Sequence, residues 1–467
     1  MLDHPAENRS QYARIPGGQH GLAPELVSAD QRARLNAAMV QIAAEIGYVA
    51  TTVEDVLGRA GVSRRTFYDH YKNKQDCFIS AFDAVLGDWM RQGALAYQTS
   101  APNGMRGTVR ARLRAGLLAL FELVLSDPLG ARVLFVETLN CGSPGLQRLE
   151  HAVDELERIL ERAFGAPDGP PELPPGMITV IVGGVLEIVT SRLRHSRTDE
   201  LSELAEPLLE WMLSYRSSDA AALVGRARED VAGSAPAPAA KRTGERGEGE
   251  PGSLPLWRDE SVRPIAVREP RERIIEAAAQ IASDRGYGAL SLNEIARAAR
   301  VSHHTLRKYF ATKTEAFMAA YEAGSRATIA YCLKAYSAET DWRAAVRAGL
   351  AAELRFLAMH PELARIGFLE VYAAGSQLLE LRETELQLVT AALEPGYRQK
   401  RRSAPPHPIV SEAIAGGIYQ LMRELVLHHG PEQLPSLSAD VTYAALAPFT
   451  GAKAAASVAR QPVSSAE

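Results

Sequence analysis

The sequence predicts an all-α protein assembled from two copies of one unit. Three observations carry this. Residues Arg34 to Phe78 align without a gap on Arg273 to Phe317. Apolar residues recur at helical spacing through both copies, while strand alternation is weak everywhere. Helix start and stop signals punctuate the pattern at matching places. The repeat continues further along the chain. Asp127-Pro128, Ala131-Arg132, Phe135-Val136-Glu137 and Gly142-Ser143 recur as His360-Pro361, Ala364-Arg365, Phe368-Leu369-Glu370 and Gly375-Ser376, and Gly183-Gly184 recurs as Gly416-Gly417. The second copy is six residues shorter between these blocks. The loop near Ser100 to Gly107 is the expected place for the loss, since loops tolerate deletion. A unit of about 190 residues is far longer than a solenoid repeat of roughly 20–50, so the chain reads as two fused proteins.

The elements follow in order. Residues 1–29 lack an apolar pattern and are expected to form a disordered tail. Within residues 30–78, Leu35, Met39, Ile42 and Ile46 share one helical face, and Gly47 ends that helix with a positive φ. Thr52-Val53-Glu54-Asp55 opens a second helix with a capping-box pattern, whose inner stripe is Val53, Val56 and Ala60. Gly61 makes the turn, Ser63 caps a third helix, and Asn73 caps a fourth beginning at Lys74. Helix, short glycine-containing turn and short helix make a helix-turn-helix. Residues 269–317 repeat the scheme with Ile274, Ala278 and Ile281, then Gly286, and with capping boxes at Ser291 to Glu294 and Thr312 to Glu315. Here Arg300 stands in for the turn glycine, at a cost of roughly 1 kcal/mol for a left-handed side-chain residue.

A helical body follows each head, over residues 79–216 and 318–451. Arg110 to Leu125 carries Leu113, Leu117, Leu120, Phe121 and Val124 at helical spacing. Met177 to Arg194 is apolar on nearly all sides, which predicts a helix buried all round, and its paired glycines let another backbone come close. Leu201 to Tyr215 supplies a further amphipathic helix. The counterparts are Ile409 to His428 and Leu437 to Phe449. Residues 217–268, rich in Pro, Gly and mixed charge, are expected to be a flexible linker, and 452–467 a second disordered tail.

Composition bounds the function. Apolar content of 46% is ordinary for a globular chain. There is no apolar run of ~18 residues, so no membrane span is expected, and residues 1–30 do not resemble a secretory signal. Cys77, Cys141 and Cys332 show neither metal spacing nor a disulfide framework, which suits a cytoplasmic protein. No nucleophile elbow, phosphate loop or zinc spacing is present; neither enzyme activity, a metal nor a cofactor is expected. The net charge of -4 does not advertise nucleic acid, but the local balance does. Arg64 to Lys74 holds four Lys or Arg against Asp69, and Arg300 to Lys313 holds four and no acid. Such a patch attracts phosphate whatever the whole chain carries.

The shared pattern is specific. It comprises Gly47-Tyr48, Val62-Ser63, Thr66, Phe67-Tyr68, Tyr71, Lys74 and Phe78 in the first copy. In the second it comprises Gly286-Tyr287, Val301-Ser302, Thr305, Leu306, Tyr309-Phe310, Lys313 and Phe317. This resembles the DNA-binding domain of the TetR family of regulators; the second copy departs from it at Arg300 and Arg307. The resemblance implies two TetR-like units, each an N-terminal three-helix helix-turn-helix domain followed by a helical ligand-binding and dimerisation domain. It further implies that Tyr68 and Lys74 grip phosphates, that Thr52 touches the DNA backbone, and that the last two body helices form a four-helix dimer interface.

The residues themselves suggest the same surface. Ser63 as cap turns the free amides of its helix outward, toward phosphate. Arg64, Arg65 and Thr66 lie on the first turn, where arginine can read guanine. Tyr71 is expected to point inward. In the second copy Ser291, Ser302, His303, His304, Thr305, Arg307, Lys308 and Lys313 hold the matching places. Neighbouring histidines on a helix diverge by about 100°, so they do not suggest a metal. Candidate liners of a small-molecule inducer pocket are Trp89, Tyr97, Phe121, Phe135 and Leu139, and in the second copy Tyr331, Tyr336, Phe356, Phe368 and Tyr372; each is equally at home in a plain core. The expected partners are a double-stranded DNA operator, a small-molecule inducer, and a second unit. That second unit is either the other copy in the same chain, giving an intramolecular pseudo-dimer with heads about 34–36 Å apart, or another chain in a homodimer. Repression is the expected sign. The alternative is a regulator that works by protein contact, its second helix-turn-helix no longer reading DNA.

Overall fold

The computed structural model describes residues 23–100, 108–165, 173–234, 269–399 and 404–461. Among these the fold is all-α, without strands. The first copy gives α1 (Pro24–Ile46), α2 (Val53–Ala60), α3 (Arg64–His70), α4 (Lys74–Ser100), α5 (Val109–Ser126), α6 (Pro128–Phe135), α7 (Ser143–Phe164), α8 (Met177–Arg194), α9 (Leu201–Ser214) and α10 (Ser218–Ser234). The second gives α11 (Pro270–Arg285), α12 (Leu292–Ala298), α13 (His303–Tyr309), α14 (Lys313–Ser337), α15 (Trp342–Met359), α16 (Pro361–Arg365), α17 (Ser376–Leu393), α18 (Ile409–His429), α19 (Ser438–Thr450) and α20 (Ala452–Ala459). The shorter second copy is explained at the junction expected to shrink. α4 ends at Ser100 and α5 starts at Val109, whereas α14 ends at Ser337 and α15 starts at Trp342.

Local signals set the helix ends. The Thr52 hydroxyl accepts the Asp55 amide at 3.2 Å while the Asp55 carboxylate accepts the Thr52 amide at 2.9 Å, a complete capping box. Gly61 takes a left-handed φ of 62°, and Arg300 holds φ 53° at the same bend. The second copy therefore keeps the turn and accepts the strain.

Two segments expected to be unstructured are partly helical. The first part of the linker is α10, which buries Ala220, Ala221, Val224 and Ala227 against α19 and α20. The start of the last tail is α20, with Ala455, Ala456 and Ala459 buried. Both stripes are mostly alanine, whose small apolar contribution a composition-based reading undervalues although it is the best helix former. The rest of these expectations, for residues 1–22, 235–268 and 462–467, lies outside the described residues.

The described residues form two compact units. One joins the chain up to Leu95 with Glu122–Ala152; the other joins Ala96–Phe121 with everything from Val153 onward. In the second unit α8 packs along α18. The glycines explain how closely. A Cβ on Gly184 would lie 2.4 Å from the Ala413 carbonyl oxygen, and one on Gly417 would lie 2.3 Å from that of Val180. A Cβ on Gly183 would meet Gln420 at 2.3 Å, and one on Gly416 would meet Glu187 at 2.4 Å. These contacts are reciprocal under the sequence repeat. α9 and α19 complete the cluster: the Tyr215 hydroxyl donates to the Ala444 carbonyl at 3.0 Å, and the Tyr443 hydroxyl to the Tyr215 carbonyl at 2.8 Å.

The ion pairs across this seam are not reciprocal. Arg192 donates to Glu412 at 2.6 and 3.2 Å, and Arg382 donates to Glu187 at 2.7 and 3.3 Å. Under the repeat, Arg192 corresponds to Leu425, Glu412 to Thr179, Arg382 to Leu149 and Glu187 to Gln420. Glycine approach is thus common to both copies, while each charged pair takes one partner from each.

Candidate nucleic-acid interface and ligand cavity

The first head is built around Phe67, fully buried on the inner side of α3. Its outer side carries Arg64, Arg65, Tyr68 and Asp69, all exposed. Ser63 accepts the Thr66 amide at 3.1 Å and its hydroxyl meets that of Thr66 at 2.8 Å. The cap thus fixes the start of α3, and Arg64 and Arg65 project from its first turn. Arg64 also reaches Glu54 on α2 at 3.0 Å, in a pair about two-thirds exposed on both sides. A solvated pair of this kind is weak, about 0–1 kcal/mol, so phosphate can displace it. Tyr71 points inward, as expected, with its hydroxyl on Asn36 at 2.6 Å.

The second head reproduces this frame. Leu306 is the buried pivot, Ser302 accepts the Thr305 amide at 3.0 Å, and His303, His304, Arg307 and Lys308 are exposed. His303 bonds Asn293, which occupies the place of Glu54. Thr52 is exposed at the start of α2; Ser291 is half-buried, its hydroxyl engaged with Glu294.

Lys74 and Lys313 both reach the backbone of their own heads. The Lys74 ammonium donates to the carbonyls of Tyr48, Val49 and Thr51 at 2.9, 3.3 and 2.9 Å and lies over the Tyr48 ring. An ammonium has three protons, and all three are taken. Lys313 sits likewise on the Tyr287 carbonyl and ring. Both brace the bend before the second helix of their head, Lys74 through three carbonyls and Lys313 through one.

A residue pair in the repeat has a role the pattern alone did not reveal. The buried carboxylate of Glu137 accepts the Tyr48 amide at 2.8 Å, and Glu370 accepts the Tyr287 amide at 2.7 Å. Each head is thereby latched to the segment after α6 or α16 in its own copy. Burial pushes the Glu370 carboxyl above its usual range. The signal was present in the sequence as a recurring glutamate, but its long-range partner was not.

The second copy encloses a cavity of about 450 Å³. Apolar residues of α14, α15, α17 and α18 make most of its wall, Tyr336 among them, and Phe368 joins from the turn after α16. Tyr331, Phe356 and Tyr372 are not part of it. Phe356 instead stacks between Tyr331 and His360, with centroids 5.1 and 4.5 Å away, and Tyr372 lies beside the Arg382 and Arg423 guanidinium groups. In the first copy Trp89 donates to Asp127 at 3.0 Å and packs on Phe135 at 5.9 Å. Phe121 and Leu139 are buried and Tyr97 half-buried. The polar groups of the cavity escaped sequence reading because nothing in helical periodicity separates a glutamate on a cavity wall from one in solvent. Glu353 lines it without a hydrogen-bond partner. Glu385 accepts the Tyr321 hydroxyl at 2.7 Å.

Two helix-turn-helix heads on all-helical bodies are the architecture of DNA-binding transcription regulators. The family model described as bacterial regulatory proteins, tetR family, matches residues 35–81 and again 274–320. The two matched segments are the two heads, so the chain carries two TetR-type DNA-binding domains in tandem. It is 26% identical over 134 residues to the HTH-type transcriptional activator FasR of Mycolicibacterium smegmatis, a match covering 29% of this chain and 58% of that relative, under two-thirds of its length. It is 24% identical over 182 residues to the fatty acid metabolism regulator protein of Bacillus subtilis, covering 38% and 91%. Among solved structures, the transcriptional regulator FadR from Bacillus subtilis in complex with stearoyl-CoA aligns with a TM-score of 0.34 at 23% identity, covering 38% of this chain and 96% of that one. No described helix is long and apolar enough to cross a membrane.

Proposed function

We propose that this protein is a ligand-responsive repressor that acts as an intramolecular pseudo-dimer, its two unlike heads reading two unlike half-sites. The observation that carries this is the charge arrangement between α8 and α18. A pair of first copies would set Arg192 opposite Thr179, and a pair of second copies would set the buried Arg382 opposite Gln420. Arg192 keeps Glu200 of its own copy at 3.2 Å in any pairing, whereas Arg382 meets a carboxylate across the seam only when the first copy faces it. The DNA contacts proposed are Thr52, Ser63, Arg64, Arg65, Thr66 and Tyr68 in the first head, and Ser291, Ser302, His303, His304, Thr305, Arg307 and Lys308 in the second. The domain division set out from the sequence is retained, with the linker starting after α10 and the last domain extended through α20.

The route from ligand to DNA follows from the second copy. Ile366, Gly367 and Phe368 line the cavity and belong to a π-helical turn, Ile366–Glu370, which ends on the latch carboxylate. An occupant that presses this turn shifts Glu370 and with it the Tyr287 amide at the base of the second head. The effect is a population shift between head placements that fit and do not fit the operator. Among the relatives, one is named a regulator of fatty acid metabolism, so a fatty acyl compound is the first ligand to assay. Selection of bound fragments from random DNA tests the half-sites: an asymmetric consensus is expected, and a perfect palindrome overturns the pseudo-dimer.

A further inference from the structure

The cavity of the second copy has an electrostatic character that decides what it can hold. Arg382 is the one Lys or Arg in its lining, and its charge is already committed. It is ion-paired to Glu187 at 2.7 Å, and its guanidinium lies 4.0 Å from the centroid of the Tyr419 ring. No cation is left over for a carboxylate or phosphate head group. Two carboxyl groups face the same space, Glu353 from α15 and Glu385 from α17. Glu385 is held by the Tyr321 hydroxyl at 2.7 Å and by Ser325. Glu353 is half-buried, faces the cavity, and has no hydrogen-bond or ion-pair partner. A carboxyl set in an apolar wall without a partner carries a desolvation cost that a cationic ligand offsets. Burial and the nearby Glu385 push the Glu353 carboxyl up to about 7.

We infer that this cavity is a site for an apolar molecule carrying one protonated amine, which Glu353 receives with support from Glu385. The rest of the wall is aliphatic and aromatic, including Leu350, Leu357, Ile366 and Met422, and takes the hydrocarbon part. The volume lies within the range of small-molecule pockets, roughly 300–1,000 Å³. This rests on the ligand-responsive reading and makes it specific. It also departs from an acyl carboxylate or acyl thioester of coenzyme A, whose anionic head would meet two carboxyl groups and an arginine already paired.

The test uses the full chain and three probes of one length: dodecylamine, dodecanol and dodecanoate, below their aggregation limits. Binding is measured by calorimetry, and operator release by fluorescence anisotropy of labelled DNA. Dodecylamine is expected to bind at least ~10-fold more tightly than dodecanol, a difference of about 1.4 kcal/mol, and dodecanoate more weakly than either. Glu353→Gln keeps the shape and removes the charge; it should abolish the preference for the amine while leaving dodecanol binding intact. Should dodecanoate or dodecanoyl-coenzyme A bind best and release DNA, the amine assignment falls while the ligand-responsive reading stands. Should no probe bind or release DNA, both fall. Retention of the amine preference in Glu353→Gln overturns the assignment of Glu353.

Discussion

Replacing Glu187 with Ala is the sharpest perturbation of the seam between the copies. The partner, Arg382, is buried with 6% of its surface exposed, and the two side chains meet through two hydrogen bonds at 2.7 and 3.3 Å. Deleting one member of a buried pair leaves an uncompensated charge and costs about 3–5 kcal/mol. Some of this is recovered because the Tyr419 ring still faces the guanidinium, so a loss near 3 kcal/mol is expected. Arg382→Met alone leaves Glu187 unpaired and should cost a comparable amount. The double replacement, Glu187→Ala with Arg382→Met, removes both charges, so it should cost clearly less than the two single changes added together. The assay is a double-mutant cycle read by urea unfolding, with circular dichroism and tryptophan fluorescence followed in parallel. A coupling energy of at least ~2 kcal/mol between the two positions is expected. Additive single effects, or a Glu187→Ala protein that unfolds at wild-type urea concentration, would refute the claim that this pair ties one copy to the other.

Four further outcomes follow. Gly184→Val places a side chain against the Ala413 carbonyl and the Trp211 ring, so it should force α8 and α18 apart and lower the melting temperature, as a surface control such as Gly225→Ala should not. Arg64→Ala with Arg65→Ala should weaken operator binding and flatten its salt dependence, measured as the slope of log affinity on log salt; unchanged slope and affinity would remove α3 from the interface. Arg300→Gly relieves a left-handed arginine and should leave the second head equally or slightly more stable, by up to about 1 kcal/mol, as read by hydrogen exchange in α12 and α13. Asp440 is buried, has no hydrogen-bond partner from another residue, and burial pushes its carboxyl up to about 7. The folded state therefore holds a proton that the unfolded state has released, and stability falls as pH rises from about 4 to 7. Arg228, 3.9 Å away, softens that loss. Asp440→Asn should raise the melting temperature at pH 8 and raise it much less at pH 5.

Much of the fold was legible because it is written in local signals. Thr52, Ser63, Ser291, Ser302 and Thr312 announce helix starts through their own side chains, and each caps the helix that its position implied. The duplication did the rest, since an element seen in one copy could be sought in the other. Gly183 and Gly184 announced a close approach, and the repeat of that pair as Gly416 and Gly417 pointed to the partner helix. What sequence could not give was long-range pairing. Lys74 looks like a basic residue on a DNA-facing surface, and only the path of the preceding bend shows three carbonyls converging on it. Glu187 and Arg382 lie far apart in sequence and fall on helices of different copies, so no spacing rule joins them. Phe356 and Phe368 are indistinguishable by pattern, yet one stacks in the core and the other faces the cavity.

The central claim is that one polypeptide supplies both reading heads of one DNA site. Sedimentation equilibrium of the full chain with a single labelled copy of its selected operator, at equimolar concentrations, tests this directly. A complex containing one 50.6 kDa chain per duplex is the predicted result. A complex that forms only with two chains per duplex would contradict it.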